Sequence, residues 1–288
     1  METNNFSIKI IECPRDAMQG IFEFIPTEKK ISYLNILLKV GFDVLDFGSF
    51  VSPKAIPQMR DTAEVLVNLD LKDVRTKLLA IIANVRGAAD ALTHSEIDYL
   101  GFPFSISETF QQRNANQSIT QAFETVKEIQ NLCIQKNKQL VVYLSMAFGN
   151  PYGDNWDKEI VREWAEKMAA IEVKIISLAD TVGTASGSDV RSLFETLIPS
   201  YKNVEFGAHL HSHPASWKVK VEAAWEGGCR RFDGALKGFG GCPFAKDELV
   251  GNIATENLIG FLEEKNRLRI DKDFLRLALA EANEIFVH

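Results

Sequence analysis

The chain alternates between two hydrophobic rhythms along nearly its whole length. Short β-branched runs predict strands, and longer stretches with apolar residues three and four apart predict helices. Strands are expected at 7–13 (SIKIIEC), 43–47 (DVLDF), 78–83, 97–102, 140–146 (LVVYLSM), 173–178 (VKIISL), 203–209 (NVEFGAH) and 229–233 (CRRFD). Between them, Thr27 offers a helix N-cap and Gly41 a stop, and a helix begins near Gln58 after a Pro-containing loop. Ser118 with Gln121 forms a capping box that opens a helix with the stripe Ile119, Ala122, Phe123, Val126, Ile129, Leu132 and Cys133. Further helices are expected near 157–170, 188–198, 215–226 and 252–264, with an extra terminal one at 271–285. Eight strands alternating with about eight helices fit a single (β/α)8 TIM barrel, an α/β fold, better than an open doubly wound sheet. No GxGxxG turn follows the first strand, which disfavours the open sheet. The whole chain, 1–288, is thus expected to be one catalytic domain, its barrel at about 7–265.

Composition narrows the partners. Lys and Arg number 32 against 39 Asp and Glu, a net charge of −7, which argues against a nucleic-acid binder. No apolar run approaches the roughly 20 residues that span a bilayer, so no membrane association is expected. The N-terminus shows no basic and apolar leader, and Cys13, Cys133, Cys229 and Cys242 are scattered without a CxxC pair. That pattern reads as reduced thiols and a cytoplasmic location.

In a barrel the chemistry sits at the C-terminal strand ends. The polar residues cluster there: Arg15 and Asp16 after strand one, Asp46 in strand two, and Asp180 and Thr181 after strand six. His209 and His211 end strand seven, and Cys242 and Asn252 follow strand eight. Alternate residues on a strand share a face, so His209 and His211 aim two imidazoles at one point. Asp16 adds a hard oxygen and Asn252 a carbonyl oxygen. This set suits a divalent cation, Mg²⁺ or Mn²⁺ ahead of Zn²⁺. Arg15 is a candidate clamp for developing negative charge. Cys242, in a Gly-Gly-Cys-Pro turn, is a candidate proton donor or acceptor. His213 either faces solvent ahead of Pro214 or stands in for an absent acid beside the cation, with the first favoured.

These residues resemble the 3-hydroxy-3-methylglutaryl-coenzyme A lyases, in the barrel metalloenzyme superfamily that includes isopropylmalate and homocitrate synthases. The resemblance rests on Pro14-Arg15-Asp16, on Ser49-Phe50-Val51-Ser52-Pro53-Lys54 with Pro57-Gln58-Met59, and on Asn150-Pro151-Tyr152. It continues through Asp180-Thr181-Val182-Gly183, His209-Leu210-His211, Gly240-Gly241-Cys242-Pro243-Phe244-Ala245 and Gly251-Asn252-Ile253-Ala254-Thr255-Glu256. It implies cleavage of a hydroxymethylglutaryl thioester to acetyl-CoA and acetoacetate. Asp16, His209, His211 and Asn252 would be the metal ligands, Arg15 would stabilise the enolate oxygen, and Cys242 would serve in proton transfer. Asp180 and Asp46 would be further polar residues of the site. Ser52 and Lys54 are the candidates for contact with the coenzyme A of an acyl-CoA substrate, and a homodimer is expected by analogy.

The chain departs from the family pattern at Ala17 to Ile21 and at Ser212-His213, and Asp46 stands where the family carries Glu. The position of Glu12 relative to the family's Glu is left open by a one-residue shortening before Arg15. The first competing reading is a Claisen-type acyltransferase joining acetyl-CoA to a 2-oxo acid, which the GGCP loop disfavours. A zinc hydrolase of barrel type would carry its HxH on the first strand and not the seventh. An inactive barrel kept for interactions is the third.

Overall fold

Eight parallel strands pair edge to edge until the last meets the first: β1 (Lys9–Glu12), β2 (Val44–Ser49), β3 (Lys77–Ile81), β4 (Ile97–Ser105), β5 (Gln139–Ser145), β6 (Ile175–Asp180), β7 (Glu205–Ser212) and β8 (Arg231–Gly234). β1 pairs with both β2 and β8, and β6 with both β5 and β7, which closes the ring. The computed structural model describes residues 7–241, 250–266 and 268–286. Every expected strand is present with ends shifted by a few residues, and the chain is a (β/α)8 TIM barrel with a C-terminal helix.

The two faces of each strand go to different cores, as period-two alternation requires. Ile11, Val44, Leu79, Val141 and Ile175 point inward and pack with Cys13, Ile81 and Tyr143 inside the ring. Ile10, Leu78, Leu100, Val142 and Ile176 point outward against the surrounding helices. Each fully buried aliphatic side chain contributes about 1.5–3 kcal/mol relative to exposure.

Several local expectations shift. The helix Thr27–Val40 has Pro26, not Thr27, in the capping position, and the Thr27 hydroxyl donates to Asp61 Oδ2 at 2.8 Å. Gly41 does end it, in the left-handed region at φ 92°. The helix expected near Gln58 is a 3-10 turn, Pro57–Met59, followed by a separate helix Thr62–Val67. The Gln58 side chain braces this turn, accepting from Ile25 N and donating to the carbonyls of Ile21 and Glu23. The capping box of Ser118 and Gln121 forms in both directions. The helix Lys272–Phe286 lies along Thr27–Val40, with Tyr33 and Phe286 edge to face at 5.8 Å.

Two short elements were invisible to periodicity, and both shape the strand-end face. Arg15 and Asp16, read from the sequence at the end of strand one, sit in the six-residue helix Pro14–Gln19. Asn252, expected to open a helix, lies in a two-residue strand β9 (Gly251–Asn252) antiparallel to β7, with Asn252 opposite His211. The helix that follows begins at Thr255. Among the described residues no helix is long and apolar enough to cross a membrane.

Candidate active site

Pro14 at the first helical position turns the chain sharply out of β1, and the next two side chains swing over the barrel mouth. Arg15 is held from several sides. Its Nε donates to Asp46 Oδ2 at 3.0 Å and its Nη2 to the same oxygen at 2.5 Å, while Nη1 donates to Asp16 Oδ1 at 3.0 Å and Gln19 Oε1 at 2.8 Å. Of the five guanidinium N–H donors, one on Nη2 is left without a partner among the described residues. Asp46 is buried, and burial, only partly offset by Arg15, lifts its pKa to about 6.

Asp16 faces two imidazoles. One ligand atom each from Asp16, His209 and His211 lies within 4.8 Å of the others. Burial alone would raise the Asp16 pKa, but Arg15, His209 and His211 outweigh it and hold it at about 2. The two histidines are oriented differently. His211 Nδ1 is 3.0 Å from the Thr181 carbonyl, so that nitrogen carries the proton. Its Nε2 is then a lone-pair donor, and it is buried with no hydrogen-bond partner among the described residues. Burial first, and His209 second, lower the His211 pKa to about 4. His209 Nδ1 is 3.2 Å from Asp233 Oδ2. Burial works against its charged form, yet Asp233 and Asp16 together carry its pKa upward. A carboxylate and two oriented imidazoles, one with an orphaned buried nitrogen, fit a divalent cation.

Asn252 donates through Nδ2 to Asp16 Oδ2 at 2.6 Å and to the Phe239 carbonyl at 3.0 Å, so two acceptors fix its orientation. Gly240 lies against the same segment at φ +85°, and a Cβ there would stand 2.6 Å from the Asp16 carbonyl oxygen. Only glycine lets this turn approach the site so closely.

Arg15, Asp16, His209 and His211 form the polar wall of a cavity of about 360 Å³. Val51, Ile56, Ile81, Pro103, Phe110 and Tyr143 form its apolar wall. Asp46, Asp180 and Asn252 are not among the lining residues; Asp46 holds Arg15, and Asn252 holds Asp16 through its Nδ2. Asp180 accepts Lys220 Nζ at 2.6 Å, and the same ammonium donates to the carbonyls of Gly183 at 2.8 Å and His211 at 2.9 Å. Burial raises the Asp180 pKa against the pull of Lys220. Ser52 and Lys54 are exposed on the loop after β2, and Ser52 lines a separate cavity of about 390 Å³ that also meets Arg60 and Arg86. His213 is exposed, with its Nδ1 accepting from Ala215 N at 3.2 Å, so the solvent-facing reading is correct. Glu12 points away from the cavity to Leu236 N at 2.9 Å and Thr255 Oγ1 at 2.5 Å. Cys242 lies outside the described residues.

A model of the HMGL-like family matches residues 8–283. The chain belongs to this family. It is 31% identical over 262 residues to the hydroxymethylglutaryl-CoA lyase of Bacillus subtilis, covering 90% of this chain and 87% of that one. It is 30% identical over 278 residues to a 3-hydroxy-3-isohexenylglutaryl-CoA/hydroxymethylglutaryl-CoA lyase of Pseudomonas aeruginosa, covering 96% and 91%. The solved HMG-CoA lyase of Acinetobacter baumannii, in complex with coenzyme A and 3-methylmalate, superposes with a TM-score of 0.90 at 31% identity over 100% of this chain and 93% of that one.

Within this HMGL-like chain, sequence reasoning missed the partnerships of Gln19, Asp233 and Lys220, and named Thr181 at the end of strand six without a role. Gln19 bridges Arg15 and Asp16, its amide donating to Asp16 Oδ1 at 2.8 Å, and its i+4 and i+3 spacing would signal this once a helix is assumed. Asp233 is level with His209 across the β7–β8 ladder. Thr181 supplies the carbonyl for His211, and Lys220, on the helix Trp217–Glu226, gave no signal because its partners at Asp180, Gly183 and His211 are remote in sequence, although it lies on the helix's buried face with Val221, Ala223 and Ala224.

Proposed function

We propose that this chain cleaves 3-hydroxy-3-methylglutaryl-CoA to acetyl-CoA and acetoacetate. The observation that carries the reading is the convergence of Asp16, His209 and His211, whose Nε2 has no partner among the described residues, beside Arg15 in one half-apolar cavity. Kinship with named lyases at about 30% identity over most of the chain supports it.

The reaction breaks the C2–C3 bond. The C3 hydroxyl loses its proton and becomes the ketone of acetoacetate. The bonding pair passes into the thioester enolate, and a proton added at C2 gives acetyl-CoA. Asp16, His209 and His211 would hold the cation, with Asn252 beside them as a further ligand, and two oxygens with two imidazole nitrogens and room for water suit Mg²⁺ or Mn²⁺. Such a cation would polarise the C3 hydroxyl and an acyl oxygen, which makes that hydroxyl easier to deprotonate.

The protein's own residues do the rest. The free Nη2 hydrogen of Arg15 donates to the thioester oxygen as enolate charge develops there. Asp46, Asp16 and Gln19 keep that guanidinium from turning. Thr181 and Asp233 fix the imidazole orientations through Nδ1. Asp180 acts through Lys220, which ties the end of β6 to the His211 carbonyl. Cys242 delivers the proton to C2, and Ser52 and Lys54 contact the coenzyme A portion. The same reading carries a cytoplasmic homodimer.

Incubation with the hydroxymethylglutaryl thioester and Mg²⁺ or Mn²⁺ should yield acetoacetate and acetyl-CoA in equal amounts, and a chelator should abolish the yield. No product, together with turnover of acetyl-CoA and a 2-oxo acid, would instead make the chain a condensing acyltransferase.

A further inference from the structure

A second group of metal-ligand atoms lies beneath the first and shares His209 with it. One ligand atom each from Cys13, His209 and Asp233 falls within 4.8 Å of the others. Cys13 follows β1 and Asp233 lies on β8, and these two strands are neighbours in the ring. Both residues are buried, at 1% and 2% exposure. Asp233 Oδ2 is engaged with His209 Nδ1, but its Oδ1 is buried with no hydrogen-bond partner among the described residues. The Cys13 sulfur has a 3.9 Å contact to the Ile11 carbonyl. The carboxylates of Asp233, Asp46, Asp16 and Glu12 act on this sulfur, and so does the guanidinium of Arg15.

We propose that Cys13, His209 and Asp233 form a second cation site, which takes a thiophilic divalent ion such as Zn²⁺ or Cd²⁺ and excludes a cation from the upper cluster. Thiolate is the soft ligand that selects such ions, and Mg²⁺ does not compete for it. Metal–ligand bonds of about 2.0–2.3 Å place tetrahedral ligand atoms roughly 3.3–3.8 Å apart, so atoms already inside the observed span need only small shifts.

The exclusion resides in one imidazole. The upper cluster uses His209 Nε2 as the lone pair while Nδ1–H donates to Asp233. The lower cluster needs the lone pair on Nδ1, with the proton moved to Nε2. A neutral ring offers one arrangement at a time. On binding, the Cys13 thiol gives its proton to solvent, and thiolate plus Asp233 carboxylate balance the two positive charges. The surrounding carboxylates disfavour a bare thiolate but favour the thiolate–cation pair.

The test titrates Cd²⁺ and Co²⁺ into the full chain stripped of metal, reading thiolate-to-metal charge-transfer absorption. The band is expected in the wild type, in Cys242→Ala and in His211→Ala, which removes only an upper ligand. It is expected to be lost entirely in Cys13→Ser, with Cys13→Ala as the second variant should the first fold poorly. Absence of the band in the wild type, its survival in both Cys13 variants, or its loss in Cys242→Ala overturns the site. Mn²⁺ added to the Cd²⁺-loaded wild type should stay free by its paramagnetic resonance, and simultaneous binding of both ions overturns the exclusion. None of these readings needs turnover, so failure of the lyase reaction and failure of this site are separately visible.

Discussion

Lys220 is the residue whose removal should disturb the barrel most for the fewest atoms lost. It is 6% exposed and its three ammonium hydrogens meet Asp180 Oδ2 at 2.6 Å and the carbonyls of Gly183 and His211 at 2.8 and 2.9 Å. Lys220→Met keeps most of the side-chain volume but leaves the Asp180 carboxylate with backbone N–H donors, Ala185 N at 3.2 Å and Thr184 N, and no counter-charge from Lys220. Breaking a buried ion pair from one side costs about 3–5 kcal/mol. An unfolding entropy of about 2.1 cal/mol/K per residue over 288 residues turns that into a fall in Tm of about 5–8 °C. Asp180→Asn in the same background removes the stranded charge, so the double variant should regain about 2 kcal/mol or more. Urea denaturation followed by circular dichroism on the four proteins of the cycle gives the coupling. The pH response has a definite sign. Without Lys220, burial lifts the Asp180 pKa further, so the single variant's deficit should shrink as pH falls and Asp180 takes a proton. A Lys220→Met loss below about 1 kcal/mol, or additive single effects, would refute the claim that this ammonium neutralises Asp180.

Glu12 has its pKa raised by burial from 4.5 to about 8, so the folded state binds a proton the unfolded state lacks and stability is lost as pH rises between these values. At about 1.4 kcal/mol per unit, Glu12→Gln should flatten the urea midpoint across that window and raise stability above it; an unchanged slope would count against the assignment. Gly101 lies in β4, and a Cβ there would stand 2.5 Å from Ile81 Cδ1 and 3.1 Å from Tyr143 Cε2. Gly101→Ala should therefore cost about 1–3 kcal/mol by overpacking, and because Ile81 and Tyr143 line the cavity, KM should rise with it. Arg15→Met and Cys242→Ala should each lower kcat by about a thousandfold or more, and near-wild-type turnover in either would remove that residue's assigned role.

The barrel was legible because its strands and helices announce themselves by period. The HxH pair was legible for the same reason, since alternation on β7 puts His209 and His211 on one side of the chain. What stayed hidden is short or non-local. Six residues of helix at Pro14–Gln19 and two of strand at Gly251–Asn252 are too brief for any period. Asp233 and Lys220 acquire their partners only when β8 closes against β7 and the helix Trp217–Glu226 folds back over the β6 end. Thr27 failed as a cap because the helix begins one residue early, with Thr27 as its first residue and Pro26 in the capping position. Asp46 and Asp180, read from sequence as members of the site, stand one layer behind it because each is neutralised by a cation that itself reaches the mouth or its frame.

The one N–H of Arg15 without a partner among the described residues also limits what the cavity can recognise. A free guanidinium offers parallel donors that grip carboxylate or phosphate in two places. Here Asp46, Asp16 and Gln19 have taken that fork, leaving one donor with a set direction. Such a group is a poor trap for passing anions and a good judge of where one oxygen arrives. Discrimination at this end of the cavity therefore lies in the angle of approach of a lone carbonyl, and stray carboxylates and phosphates gain little by entering.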